Sequence, residues 1–244
     1  MEDNEYMYTE DEMNTGHIVA DCDEVLVNIS PKIVQLMHED YEYYNQFFRL
    51  SEDFDYNKHY DVILSRPEYY IDQWLVRKDV YNNFSEKEVN EARERLQNEI
   101  IFKKDLYDEL QPTNLGRSLS YTINTPLMNK LSIVTKTSDN NLKSKEKFLK
   151  TLFRGSMDKV DIFYLEPDEK KSDVINTLGY VTRIYEDEVS NISDIIKNCE
   201  NVSQTGIDIP SLGYNQNIDE GTILKAKEKK IDLNYFSYMG QSIK

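Results

Sequence analysis

Basic charge is what this chain most lacks. Its 244 residues carry 29 lysines and arginines against 45 aspartates and glutamates, a formal net charge of −16. Such a surface repels nucleic-acid phosphates, which disfavours general binding of DNA or RNA. Cysteine is scarce as well. Cys22 and Cys199 are too few for a disulfide scaffold and fit a reducing compartment. No apolar run approaches a membrane span, and the opening MEDNEYMYTEDEMN is acidic where a signal peptide would be basic and then apolar. The three histidines, His17, His38 and His59, have no zinc-ligand spacing. These absences lead us to expect a cytoplasmic protein, or a virion component if the chain is viral, with no membrane partner.

What is present divides along the chain. Residues 1–15 read as an acidic disordered tail. His17 to Ala20 form a short apolar run that reads as a buried strand, and Ser30-Pro31 reads as an N-cap and first turn for a helix to about Met37. Residues 38–126 are polar, rich in tyrosine and helical in rhythm. Ser85 and Glu88 make a capping box, followed by Val89, Ala92, Leu96, Ile100 and Tyr107 at helical spacing. The aromatics Tyr41, Tyr43, Tyr44, Phe47, Phe48, Phe54, Tyr56, Tyr60, Tyr69 and Tyr70 crowd one part of this insertion. Most of them would form its core. Their hydroxyls suggest that one or two tyrosines line a wet cleft.

From 127 to 200 the rhythm is α/β. The segments LSIVT, KVDIFYL and YVTRIYED read as strands; LKSKEKFLKTLF, KKSDVINTLG (closed by Gly179 as a C-cap) and SNISDIIKN read as helices. KSKEK at 143–147 reads as a solvated helix face. Residues 201–244 read as a C-terminal extension, in which GIDIPSLGYNQNIDEG is loop-like, TILKAKEKK a short helix, and IDLNYFSYMG a segment packing back onto the core. The expected fold is α/β, a doubly wound parallel sheet from 16–37 and 127–200, with an α-helical cap inserted at 38–126. In such sheets the site lies at the carboxyl ends of the strands. That rule selects Asp21 and Asp23, Thr135, and the pair Glu186 and Asp187.

The order Asp21-Cys22-Asp23, then Thr135, then a lysine opening a helix, then YEDEVSN resembles the four motifs of the haloacid dehalogenase superfamily of phosphotransferases, and its 5′-nucleotidase-like branch in particular. The resemblance covers roughly 16–37 and 127–198. It implies a Mg²⁺-dependent phosphomonoester hydrolase acting through an aspartyl-phosphate. Asp21 would be the nucleophile and Asp23 the acid and base. Asp21, Asp187 and a backbone carbonyl at Asp23 would hold Mg²⁺, and Thr135 and Lys171 would bind phosphate. Lys170 competes with Lys171, Thr137 with Thr135, and Glu186 stands beside Asp187 as a further candidate. Val25 departs from the Thr that many members carry. The insertion would occupy the C1 cap position of that family and select a small phosphorylated substrate, a nucleoside monophosphate being favoured.

A different class of function also suits the residues: a non-catalytic module of this fold, carried in a viral or phage assembly. Either could form homo- or hetero-oligomers. The intact set of motif residues favours the enzyme, since a scaffold gains nothing from keeping them together.

Overall fold

The computed structural model describes residues 16–48, 50, 79–125, 128, 130–210 and 218–236. The tail at 1–15 and most of the aromatic stretch, including Phe54, Tyr56, Tyr60, Tyr69 and Tyr70, lie outside the described residues. Six parallel strands form one sheet: β1 (His17–Ala20), β2 (Lys130–Lys136), β3 (Val160–Leu165), β4 (Arg183–Tyr185), β5 (Gly206–Pro210) and β6 (Asp232–Phe236). Their order is β3-β2-β1-β4-β5-β6. The chain winds outward from β1 to β3 and then returns to the other side of β1 with β4. The crevice of a doubly wound sheet therefore opens between the ends of β1 and β4.

Alternation along the strands builds the two helical layers. Ala20, Leu131 and Ile133 face one apolar core, whereas Val19, Val134, Ile184 and Ile207 face a second one. Residues of α1 (Ser30–His38), α2 (Tyr41–Phe47), α3 (Glu86–Leu96), α4 (Asn114–Thr122) and α5 (Leu142–Leu152) join the first core. Residues of α6 (Lys171–Ile175), α7 (Val189–Asn198) and α8 (Glu220–Glu228) join the second. Both faces of the central strands are covered, which is why LSIVT reads as a continuous apolar run rather than an alternating one. Truncating a central residue such as Ile133 or Ile184 to alanine would cost about 2–5 kcal/mol.

Several local expectations are corrected. GIDIP is a strand, β5, and Asp232–Phe236 is the edge strand β6, so the sheet continues into the C-terminal segment. Pairing to β4, which a single sequence cannot show, decides it. Ser30 is not an N-cap but the first helical residue, behind Ile29. The Glu24 carboxylate caps instead, accepting from Ile29 N, Ser30 N and Ser30 Oγ at 3.1, 2.7 and 2.6 Å. The capping box of α3 forms as expected. A π-turn at Gln97–Ile101 then ends the helical run, leaving Tyr107 beyond it. Gly179 is not among the described glycines at positive φ. Asn201 Nδ2 takes its place at the end of α6, donating to Ile175 O, Leu178 O and Gly179 O.

Between β1 and β2 the described elements are helical, and the segment just before α4 is stitched to the loop after β1. Thr113 N donates to Leu26 O at 2.8 Å, Thr113 Oγ1 to Val25 O at 2.7 Å, and Val27 bridges Pro112. No described helix is long and apolar enough to cross a membrane.

Candidate active site

Asp21 is the first residue past β1. Its N–H donates to Tyr185 O at 2.9 Å, extending the β1–β4 pairing by one step and setting Asp21 beside the end of β4. Cys22 N donates to Asp21 Oδ1 at 2.7 Å. Immediately after β4 come Glu186 and Asp187. Carboxylate oxygens of Asp21, Glu186 and Asp187 all lie within 4.8 Å of one another, and all three residues are buried. The first residue of α6, Lys171, enters this cluster. Its Nζ is 3.0 Å from Asp21 Oδ1 and 2.7 Å from Glu186 Oε2. Glu186 Oε1 accepts from Asn191 Nδ2 and Glu188 N at 3.1 and 3.2 Å.

Burial is the largest influence on both partners of the Lys171–Glu186 pair, and it opposes charge on each. For Lys171 the nearby charges of Asp21 and Glu186 more than offset it, moving its pKa up and keeping the ammonium charged. Glu186 is also moved up, because burial and the Asp21 charge outweigh the one cation that the two carboxylates share. The cluster is thus a buried site with more carboxylates than lysines. Hard carboxylate oxygens in excess of local positive charge are the donor set that suits a small divalent cation such as Mg²⁺, and these residues fit it.

A second group lies next to the first. Asp23 Oδ2 is 2.8 Å from Lys145 Nζ, and Asp23 Oδ1 accepts from the Tyr107 hydroxyl at 2.7 Å. Lys145 Nζ also donates to Thr135 Oγ1 at 3.2 Å and to Lys136 O at 2.6 Å. Burial tends to lower the Lys145 pKa, but the Asp23 charge outweighs it and the net shift is upward. Burial and the Asp23 charge both push the Tyr107 phenol well above its ordinary range, so it stays a donor.

The structure therefore brings together Asp21, Glu186, Asp187 and Lys171, and sets Asp23 and Thr135 beside them through Lys145. The Asp23 carboxylate stands outside the three-carboxylate cluster. Lys170 is exposed. Thr137 donates to Asn141 Oδ1 at 2.8 Å, at the start of α5. The solvated reading of 143–147 is wrong for Lys145, which is 1% exposed. A signal for it exists: Lys145 shares a helical face with Leu142, Phe148 and Leu149 at spacings of three and four. No comparable signal marks Tyr107. Of the described aromatics near 41–48, Tyr44, Phe47 and Phe48 are core, and Tyr43 lies under the Arg95 guanidinium at 4.0 Å.

Two cavities, of about 510 and 390 Å³, flank the 107–113 segment, and neither is lined by the carboxylate cluster. The residues around Asp21 instead close on one another through ion pairs.

No family model matches the chain, and no curated protein does. Similar solved structures include a provisionally named β-phosphoglucomutase from Thermotoga maritima (16% identity, 91% of this chain and 94% of that one, TM-score 0.44). Another is a provisionally named haloacid dehalogenase-like hydrolase from Burkholderia xenovorans (11%, 90% and 94%, 0.44). A third is the L-2-haloacid dehalogenase of Xanthobacter autotrophicus with chloropropionic acid covalently bound (12%, 86% and 87%, 0.39).

Proposed function

We propose that this protein is a Mg²⁺-dependent phosphomonoester hydrolase of the haloacid dehalogenase type. The observation that carries the reading is the convergence of Asp21, Glu186 and Asp187 on one buried point beside Lys171, at the crevice of the sheet. Cys22 N–H and Lys171 hold Asp21 Oδ1, which leaves Oδ2 to attack phosphorus. The bond from phosphorus to the ester oxygen breaks, and that oxygen takes a proton from Asp23. Water then gives a proton back to Asp23 and attacks the aspartyl-phosphate, releasing phosphate and restoring Asp21. Lys171 sets a fixed positive charge beside the phosphoryl oxygens, and Thr135 offers them a hydroxyl. Asp21, Asp187 and Glu186 would hold Mg²⁺, which when bound neutralises charge on the phosphoryl group.

The insertion at 38–126 acts as a cap over this site and selects a small phosphorylated substrate, with nucleoside monophosphates favoured. Hydrolysis of p-nitrophenyl phosphate, lost with EDTA and restored by Mg²⁺, tests the reaction. Activity without metal would count against a Mg²⁺-dependent enzyme of this type, and no activity with metal would count for a non-catalytic module. AMP, dTMP and ribose 5-phosphate measured side by side test the substrate: a stacked base is worth about 1–3 kcal/mol, so nucleotides should lead in kcat/KM by at least roughly fivefold. Equal rates would remove the nucleotidase reading and leave the phosphatase one.

A further inference from the structure

Lys145 and Tyr107 reach the site from different elements, and neither belongs to the motifs that outline it. Lys145 comes from α5 and Tyr107 from the segment of the insertion that leads into α4. An ammonium has three protons and no acceptor. Those of Lys145 are matched by Asp23 Oδ2, Thr135 Oγ1 and Lys136 O, at 2.8, 3.2 and 2.6 Å. It has none left for a substrate. Its position is over-determined as well, since Nζ lies 5.1 Å from the Tyr107 ring centre, within cation–π range. The phenol gives its single proton to Asp23 Oδ1.

Both oxygens of Asp23 are thereby addressed by donors, in an arrangement that suits an acceptor carboxylate. Asp23 is also the most open member of the group: its side chain is 26% exposed, against 10% for Asp21 and 1% for Lys145. Water reaching the site meets Asp23 first. From these contacts we infer that Lys145 and Tyr107 are positioning residues that clamp Asp23 in the orientation that takes a proton from water, and so govern hydrolysis of the aspartyl-phosphate rather than its formation. The same lysine turns the Thr135 hydroxyl, because an oxygen accepting from Nζ must send its own proton elsewhere. This inference rests on the phosphatase reading above.

The two half-reactions separate in kinetics. p-Nitrophenol is a good leaving group and needs little protonation, so loss of the clamp should leave formation of the aspartyl-phosphate nearly intact. Lys145→Met and Tyr107→Phe should therefore lower kcat for p-nitrophenyl phosphate by roughly ten- to a hundredfold. KM should fall in step, leaving kcat/KM within about threefold of wild type. A burst of p-nitrophenol equal to the enzyme concentration should precede the slow steady state. A loss of kcat/KM matching that of kcat, with no burst, would overturn the inference and make the two residues merely structural. Should Lys145→Met fail to fold, Tyr107→Phe, which removes one oxygen, decides the matter alone. Wild-type protein inactive with Mg²⁺ would instead overturn the phosphatase reading, and this inference with it.

Discussion

The Lys171 ammonium stands 3.0 Å from Asp21 Oδ1, with Glu186 on its other side at 2.7 Å, and the lysine and glutamate are each about 2% exposed. One cation thus links the carboxylates at the ends of β1 and β4. Removing one partner of a buried pair costs more than the pair contributes, because the remaining charge keeps its desolvation penalty. Lys171→Met should destabilise the fold by about 3–5 kcal/mol at neutral pH. Millimolar Mg²⁺ should recover part of that loss, and should also raise the wild-type Tm, since a ligand that binds only the folded state stabilises it by mass action. Thermal unfolding with and without Mg²⁺ measures both effects. A Tm indifferent to Mg²⁺ in both proteins would argue against a cation in this cluster.

Asp21→Asn separates chemistry from structure. The amide carbonyl can still accept from Cys22 N–H, so the loop after β1 should persist, but an amide cannot form the acyl-phosphate. Turnover should fall by at least about a thousandfold, with far-UV circular dichroism unchanged. Activity near wild type would remove Asp21 from the nucleophile's role.

Glu24 gives a pH dependence with a definite sign. Burial is the main cause raising its pKa from 4.5 to about 7, against the lowering effect of its hydrogen bonds from Ser30. The folded chain therefore holds this proton more tightly than the unfolded one. The stabilisation is complete below pH 4.5 and is lost as pH rises through about 7. Glu24→Gln removes the ionisation. Measured against wild type by urea unfolding, the variant should gain up to about 3 kcal/mol between pH 4.5 and 8. Parallel stability curves for the two proteins would refute the shift.

Gly116 lies in the first turn of α4, where alanine would ordinarily favour a helix by about 1 kcal/mol. Here a Cβ would sit 2.7 Å from Leu26 O, and Thr113 N already holds that oxygen. Backbone cannot swing aside as a side chain can. Gly116→Ala should destabilise by about 1–3 kcal/mol, and a rise in Tm would show that the insertion's return segment has room to move.

The range of an interaction along the chain decides whether it is legible in the sequence. Asp21, Thr135, Lys171, Glu186 and Asp187 were legible because each sits at the end of a strand or the start of a helix, and local apolar rhythm marks those boundaries. The central strands β1 to β4 and helices α5 to α7 were legible on the same grounds. Strand β5 was not: GIDIP is short, ends in a proline and is followed by a mostly polar sequence, and its identity comes from the parallel register of Ile207 with Ile184.

Tertiary structure alone decided who meets Asp23. Nothing local to Tyr107 distinguishes it from the other seventeen tyrosines of the chain, eighteen in all. Lys145 carried a weak signal in its apolar face, outweighed by the lysines around it. Glu24 likewise became the cap of α1 only because the turn after β1, with Glu24 at φ +55°, folds its carboxylate back onto Ile29 and Ser30. By itself the sequence determined a parallel α/β sheet that ends its strands in carboxylates, because periodicity and strand ends are properties of neighbouring residues. Which lysine and which phenol hold those carboxylates depends on contacts across the chain, 122 residues for Lys145 to Asp23 and 84 for Tyr107 to Asp23, and only packing brings such distant groups within hydrogen-bonding distance.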